Sequence, residues 1–321
     1  MSEVLCEPNV AGAVARANAH DLQIPAERIV DAIKATDPAI AGQGVIYLQH
    51  FRLREPPFGI TPDTSFIYSL QMHQEALNTL LMALNGGEGF VKISGEVGTG
   101  KTLLCRRLLQ TLDANWVTAY LPNPNLDADT LFRALAEELG IKDAADLDQY
   151  HLLRRINLAL LDFARAKKRV VVCIDEAQAM PIETLEALRL LSNLETEKRK
   201  LLQIVLFGQP ELDEKLHRPE VRQLLQRIAF HYRLGSLRKG ELAHYLAHRL
   251  RVAGFRGESL FTPAAIRALL RASGGTPRLI NILAHKALLS VFGEGKQMTK
   301  LRHVRLAAKD TEGARRTGWL W

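Results

Sequence analysis

Residues Gly95 to Thr102 read GEVGTGKT, between the apolar run FVKIS and the segment LLCRRLLQTL. This spacing fits G-x-x-x-x-G-K-[ST], and a strand before with a helix after is the setting in which the pattern cradles phosphate. Each part has a physical reason. Gly95, Gly98 and Gly100 let the backbone turn tightly, so that N–H groups along Gly95–Leu103, those of Glu96, Val97 and Thr99 included, face phosphate oxygens. The helix that follows adds the positive end of its dipole. Lys101 is expected to reach the β and γ phosphates, and the Thr102 hydroxyl to ligate Mg²⁺, so ATP and magnesium are the expected ligands. Such a turn needs a buried strand behind it, which commits the chain to an α/β sheet.

A second element lies about seventy residues on: RVVVCIDEAQ, an apolar strand ending in two carboxylates. Asp175 is expected to hold the metal through water and Glu176 to polarise an attacking water, because phosphoryl transfer depends on positioning and electrostatics. Without the phosphate loop, the two acids would merely cap a strand. Gln209 follows the strand LLQIVLFG and is expected to orient the lytic water. In RPEVRQLLQRIAF, Arg222 and Arg227 stand five apart before the last strand, on what reads as a helix. Either is a candidate to reach a neighbouring subunit's γ-phosphate, and a solvated basic face is the alternative for both. GGTPRLIN opens a helix with Pro277 at a natural first-turn position, which places Arg278 where a lid would fold back on the nucleotide.

The rest of the chain alternates. GFVKIS, WVTAYLP, RVVVCID, LLQIVLFG and IAFHYRL read as strands, separated by helical segments such as DADTLFRALAEELG, HLLRRINLALLDFARA and ETLEALRLLSNL. That order implies a parallel sheet covered on both faces. EKRKL before a strand reads as a wet loop. After Gly235 the pattern gives three helices, ELAHYLAHRLRVAG, TPAAIRALLRASGG and PRLINILAHKALLSVFG, then a basic tail with Lys300, Arg302, Arg305, Lys309, Arg315 and Arg316. The expected division is a 1–46 extension with little order, a 47–236 nucleotide-binding α/β domain, a 237–311 helical lid and a 312–321 tail.

Composition adds exclusions. The formal charge of +7 is spread among acids through most of the 321 residues, so it permits nucleic acid without favouring it. Cys6, Cys105 and Cys173 show no Cys-x-x-Cys spacing, and the last two sit in apolar segments, as reduced core thiols do. His244 and His248 share a helix face, but with no Glu after the first they do not make a zinc motif. No apolar run reaches membrane-spanning length and no secretory signal opens the chain, so the expectation is a cytoplasmic protein, peripheral to the inner membrane through a partner.

YLQHFRLREPPFGITPD, GEGFVKISGEVGTGKTLLCRRLL, AYLPNP, the long block from DEAQAMPIETLEALRLLSNL to GQPEL, RPEVRQLLQRI, LFTPAAIRAL and GGTPRLINILAHKAL together resemble the AAA+ ATPases of the ExeA/GspA secretion group, within it those of MSHA type IV pilus biogenesis. The resemblance covers residues 47–311. It implies a P-loop NTPase of the AAA+ kind, a parallel sheet flanked by helices and followed by a small all-helical lid. It also implies sensor, arginine-finger and lid roles for Gln209, Arg227 or Arg222, and Arg278, with homo-oligomeric assembly completing the site between subunits. The function it implies is ATP hydrolysis in support of pilus or secretion machinery, with proteins of that machinery as partners. GspA-type proteins carry a membrane span and a peptidoglycan-binding region after the ATPase, which do not follow here before Trp321, so direct action on the cell wall is not expected. Members also tend to begin near Tyr47. The alternative from another class is a DNA-associated AAA+ ATPase of the transposition-helper type, which would use the basic tail for phosphate contacts. An RNA helicase, suggested by the letters DEAQ alone, would need a second sheet domain for which there is no room.

Overall fold

A computed structural model describes residues 47–61, 66, 71–142, 146–192, 195–196 and 199–315. The expectations for 1–46 and for most of the 312–321 tail fall outside these residues.

Three helices begin where short polar side chains take over orphan backbone donors. Asp127 accepts from Thr130 N at 2.9 Å, Asp148 from His151 N at 2.8 Å, and Thr262, followed by Pro263, from Ala265 N at 3.3 Å. The elements run α1 Gln71–Gly86, β1 Phe90–Gly95, α2 Lys101–Thr111, β2 Trp116–Leu121, α3 Ala128–Glu138, α4 Gln149–Arg165, β3 Arg169–Ile174 and α5 Ile182–Ser192. Then come β4 Glu195–Thr196, β5 Arg199–Lys200, β6 Gln203–Gly208, α6 Pro210–Leu216, α7 Arg222–Leu225 and β7 Ile228–Leu234. Four helices close the described chain: α8 Lys239–Val252, α9 Pro263–Ser273, α10 Pro277–Gly293 and α11 Leu301–Lys309.

Five strands make one parallel sheet in the order β2-β3-β6-β1-β7. The three inner strands are buried almost along their length, whereas edge strand β7 alternates between half-buried and exposed. That is why they read as continuous apolar runs. Alternate residues serve opposite faces: Val170, Val172, Ile174, Ile204 and Leu206 pack under α3 to α6, while Val171, Cys173, Val205 and Phe207 pack under α1 and α2. The chain crosses between faces repeatedly, and the loops after β1, β3 and β6 emerge at one end of the sheet.

A separate core unites α8 to α11, and the aromatics Tyr47, Phe51, Phe58 and Phe66 join it rather than the sheet. Tyr47 Oη lies 3.0 Å from His285 Nδ1. Arg249, 8% exposed, donates from Nε to Pro57 O at 2.6 Å, and its guanidinium sits 4.8 Å from the centre of the Phe66 ring.

Two sequence expectations need correction. The EKRKL loop contains β5, which pairs with β4 in a small antiparallel hairpin; two-residue strands are too short for a periodic signal. The helical region has a fourth helix where a basic tail was expected. α11 buries His303, Val304, Ala307 and Ala308. Its dense cations, all on the other face, mask that apolar stripe in the sequence.

Candidate nucleotide site

The phosphate-loop motif sits at the end of β1. Gly98 and Gly100 have φ of 79° and 96°, a region that glycine enters without strain. Space is equally restrictive: a Cβ at Gly98 would lie 2.5 Å from Arg278 Cβ, and one at Gly100 2.8 Å from His73 Nε2. Thr99 tightens the turn by donating its hydroxyl to Glu96 O at 2.8 Å. Gly100 then caps α2, which aims its free N–H groups into the loop.

Lys101 is 5% exposed and donates to Gly95 O at 2.7 Å and Glu96 O at 3.0 Å, which leaves one ammonium N–H for a ligand. Burial holds its pKa below the usual lysine range, against the pull of Glu176, Asp175, Glu96 and Glu211. Asp175, 2% exposed, is the first residue beyond β3. Burial raises its pKa, opposed by hydrogen bonds from the Thr102 hydroxyl and from Glu176 N, the latter 3.0 Å from Oδ1. Thr102 and Asp175 therefore meet as two hard oxygen donors beside the loop, a set that fits magnesium.

Glu176 adopts the left-handed conformation, φ 52° and ψ 36°, unusual for a non-glycine residue. Its Oε2 accepts from Gln178 Nε2 at 2.6 Å and from Gln209 Nε2 at 3.1 Å. Burial pushes the Glu176 pKa up, but these two amides and Lys101 together hold it below the ordinary carboxylate range. The two glutamines are themselves joined, Gln209 N donating to Gln178 Oε1 at 2.9 Å. Lys215 on α6 steadies this turn by donating to Gln178 O at 2.5 Å and Met180 O at 2.8 Å.

Arg278 reaches the site from the helical region: its backbone N–H donates to Gly98 O at 3.2 Å, and its side chain is exposed. Arg227 is not brought in. α7 ends at Leu225, so Arg227 stands in the turn before β7 rather than on one helix with Arg222. Ile228 pairs with Phe90, which puts Arg227 at the opposite end of the sheet from Gly95, roughly 17 Å away along β1. Arg227 Nη1 donates to Arg189 O at 3.3 Å, while Arg222 is exposed.

Beside the loop lies a mostly apolar pocket whose lining includes Phe66, His73, Leu103, Tyr245, Arg249 and Pro277. His73 Nε2 donates to Thr99 O at 2.9 Å, and burial lowers the pKa of the ring. His73, Gln178 and Lys215 did not stand out as site residues in the sequence. Gln178 carried a signal, being a polar residue two positions beyond Glu176; His73 and Lys215 carried none, since each acts through a backbone carbonyl distant in sequence. A buried ion pair, Lys92 with Asp213, did not stand out either. Cys105 and Cys173 are both buried and free, and hydrogen bonding between them with burial raises the Cys105 thiol pKa, which makes it inert.

A phosphate loop after the first sheet strand, a strand-end acid pair and a helical C-terminal region define a P-loop nucleotide-binding fold of the AAA type. Residues 84–216 match the family model described as AAA domain. The chain is 44% identical over 281 residues to general secretion pathway protein A of Aeromonas hydrophila, an alignment that takes in 85% of this chain and 50% of that protein. It thus spans about half the length of that relative. Among solved structures, the Aeropyrum pernix ORC2 protein in ADPNP–ADP complexes superposes with TM-score 0.59 at 16% identity, over 79% of this chain and 72% of that one. Cdc6p of Pyrobaculum aerophilum superposes with TM-score 0.59 at 17% identity, over 77% and 70%. Identities this low establish the fold alone. None of the described helices is long and apolar enough to cross a membrane.

Proposed function

We propose that this chain binds and hydrolyses ATP, and that it supports assembly of pilus or secretion machinery at the inner membrane, as MshM-type ATPases of the MSHA type IV pilus do. The observation that carries the ATPase reading is the position of Glu176, held by two amides while Lys101 acts on it electrostatically beside the phosphate loop. Lys101 and the loop N–H groups from Gly95 to Leu103 bind the phosphates. The apolar pocket beside them takes the base. Glu176 accepts the proton of the attacking water and Gln209 orients that water. Thr102 and Asp175 would hold magnesium, which supplies positive charge to the phosphate oxygens. Arg278 couples the nucleotide to the 237–311 lid, and Arg227 or Arg222 serves the site of an adjacent subunit in a homo-oligomer.

Similarity to general secretion pathway protein A supports the secretion side of this reading. Turnover by the purified chain tests the chemistry: wild type hydrolyses ATP, Lys101→Ala loses nucleotide binding, and Glu176→Gln binds without turnover. Equal turnover by wild type and Glu176→Gln overturns the role of that carboxylate. Deleting the gene in its native host tests the process. Loss of surface pili supports the pilus assignment, loss of exported enzymes with pili intact moves it to secretion, and loss of neither removes both.

A further inference from the structure

The cations of α9 and α11 are not used by the nucleotide site. α9 and α11 start side by side: Phe261 and Thr299 form a parallel bridge, and Thr262 N donates to Thr299 O at 3.0 Å. Between the helices lies an open cleft of about 150 Å³, rimmed by Arg267, Arg271 and Arg305 and floored by Ala264, Ala268 and Leu301. Arg267 and Arg271 are four apart, a rise of about 6 Å on one helix face, and Lys309 continues the row from Arg305 by the same step.

None of the three guanidinium groups is ion-paired within the described residues. Two acids flanking α11 are committed elsewhere, Glu294 to Lys296 and Arg302, and Asp310 to Lys286. Neither α9 nor α11 contains an acid. Like charges gathered without compensation around a recess favour an anionic partner.

We propose that this cleft docks an acidic segment of a partner protein, one that places an apolar side chain on the Ala264–Leu301 floor with carboxylates at the arginine rim. The forked donors of arginine match carboxylate geometry. The floor decides among polyanions. A phosphodiester backbone has no aliphatic side chain to bury there, and a flat bilayer surface does not reach the bottom of a recess.

The experiment uses the full chain and a fluorescein-labelled synthetic peptide of glutamates flanking a central leucine, followed by anisotropy. Arg267→Glu, Arg271→Glu and Arg305→Glu combined should weaken binding about tenfold or more at about 0.1 M salt, with nucleotide binding at Lys101 unchanged. Replacing the peptide leucine by glycine, or Ala264 by Leu in the protein, should weaken it several-fold. Peptide binding indifferent to the triple reversal, or to loss of the leucine, overturns the proposal. So does displacement of the peptide by duplex DNA or by phosphatidylglycerol vesicles at lower charge concentration, which would give the cleft to that anion instead. The site is separate from the nucleotide, so failure here leaves the ATPase reading standing.

Discussion

At the scale of single residues, Glu176 is the most informative. It occupies a backbone region that a β-carbon disfavours, and two glutamine amides fix its carboxylate. Glu176→Gln is expected to lower ATP turnover at least about 100-fold while nucleotide is retained, measured by steady-state hydrolysis and equilibrium binding. Gln178 acts through it. Burial pushes the Glu176 pKa up, while Gln178, Gln209 and Lys101 bring it down, with a net downward result. Removing one downward contribution in Gln178→Ala raises the pKa, so the carboxylate protonates earlier as pH falls. The acid limb of the kcat profile therefore moves to higher pH; a limb that stays in place refutes the coupling. Lys92 makes a residue-scale prediction about stability. Lys92 is 4% exposed and its ammonium pairs with Asp213, so Asp213→Asn leaves a buried charge without its counterion. We expect a loss of about 2–3 kcal/mol in urea unfolding at neutral pH.

At the scale of elements, Gly275 marks where the helical region is fastened. Its φ is 81°, a Cβ there would lie 2.4 Å from Leu237 O, and Gly275 O accepts from Leu237 N at 2.8 Å. Gly275→Ala should lower the thermal midpoint by at least about 2–4 °C, by calorimetry, because left-handed geometry and backbone collision act together. What could be read from the chain also divides by element. The five sheet strands were legible because inner strands buried on both faces leave unbroken apolar runs, as in RVVVCI. The phosphate loop was legible because it is contiguous. α11 was not, since Lys300, Arg302, Arg305 and Lys309 crowd its outer face and hide the apolar stripe beneath. The Gln178–Glu176–Gln209 arrangement was only half legible: the carboxylate and Gln209 followed strand ends, but the clasp between them depends on how the turn after β3 lies against α6.

At the scale of the whole molecule, the two arginines before β7 set the question. Arg227 stands at the far end of the sheet from Lys101 of its own chain, so it does not complete the site from within. If Arg227 serves an adjacent subunit, Arg227→Ala protein should regain turnover when mixed with Lys101→Ala protein, which contributes an intact arginine and no active site of its own. A mixture no more active than its parts removes the trans role from Arg227, and the same mixing with Arg222→Ala then tests the alternative. Distance does not isolate the helical region in the same way. The first turn of α10 is bonded to the carbonyl of Gly98, so the phosphate loop is tied at one end to the sheet and at the other to the helices. Damage far from that turn, such as loss of the Tyr47 contact with His285, should then register at the bench as faster escape of nucleotide.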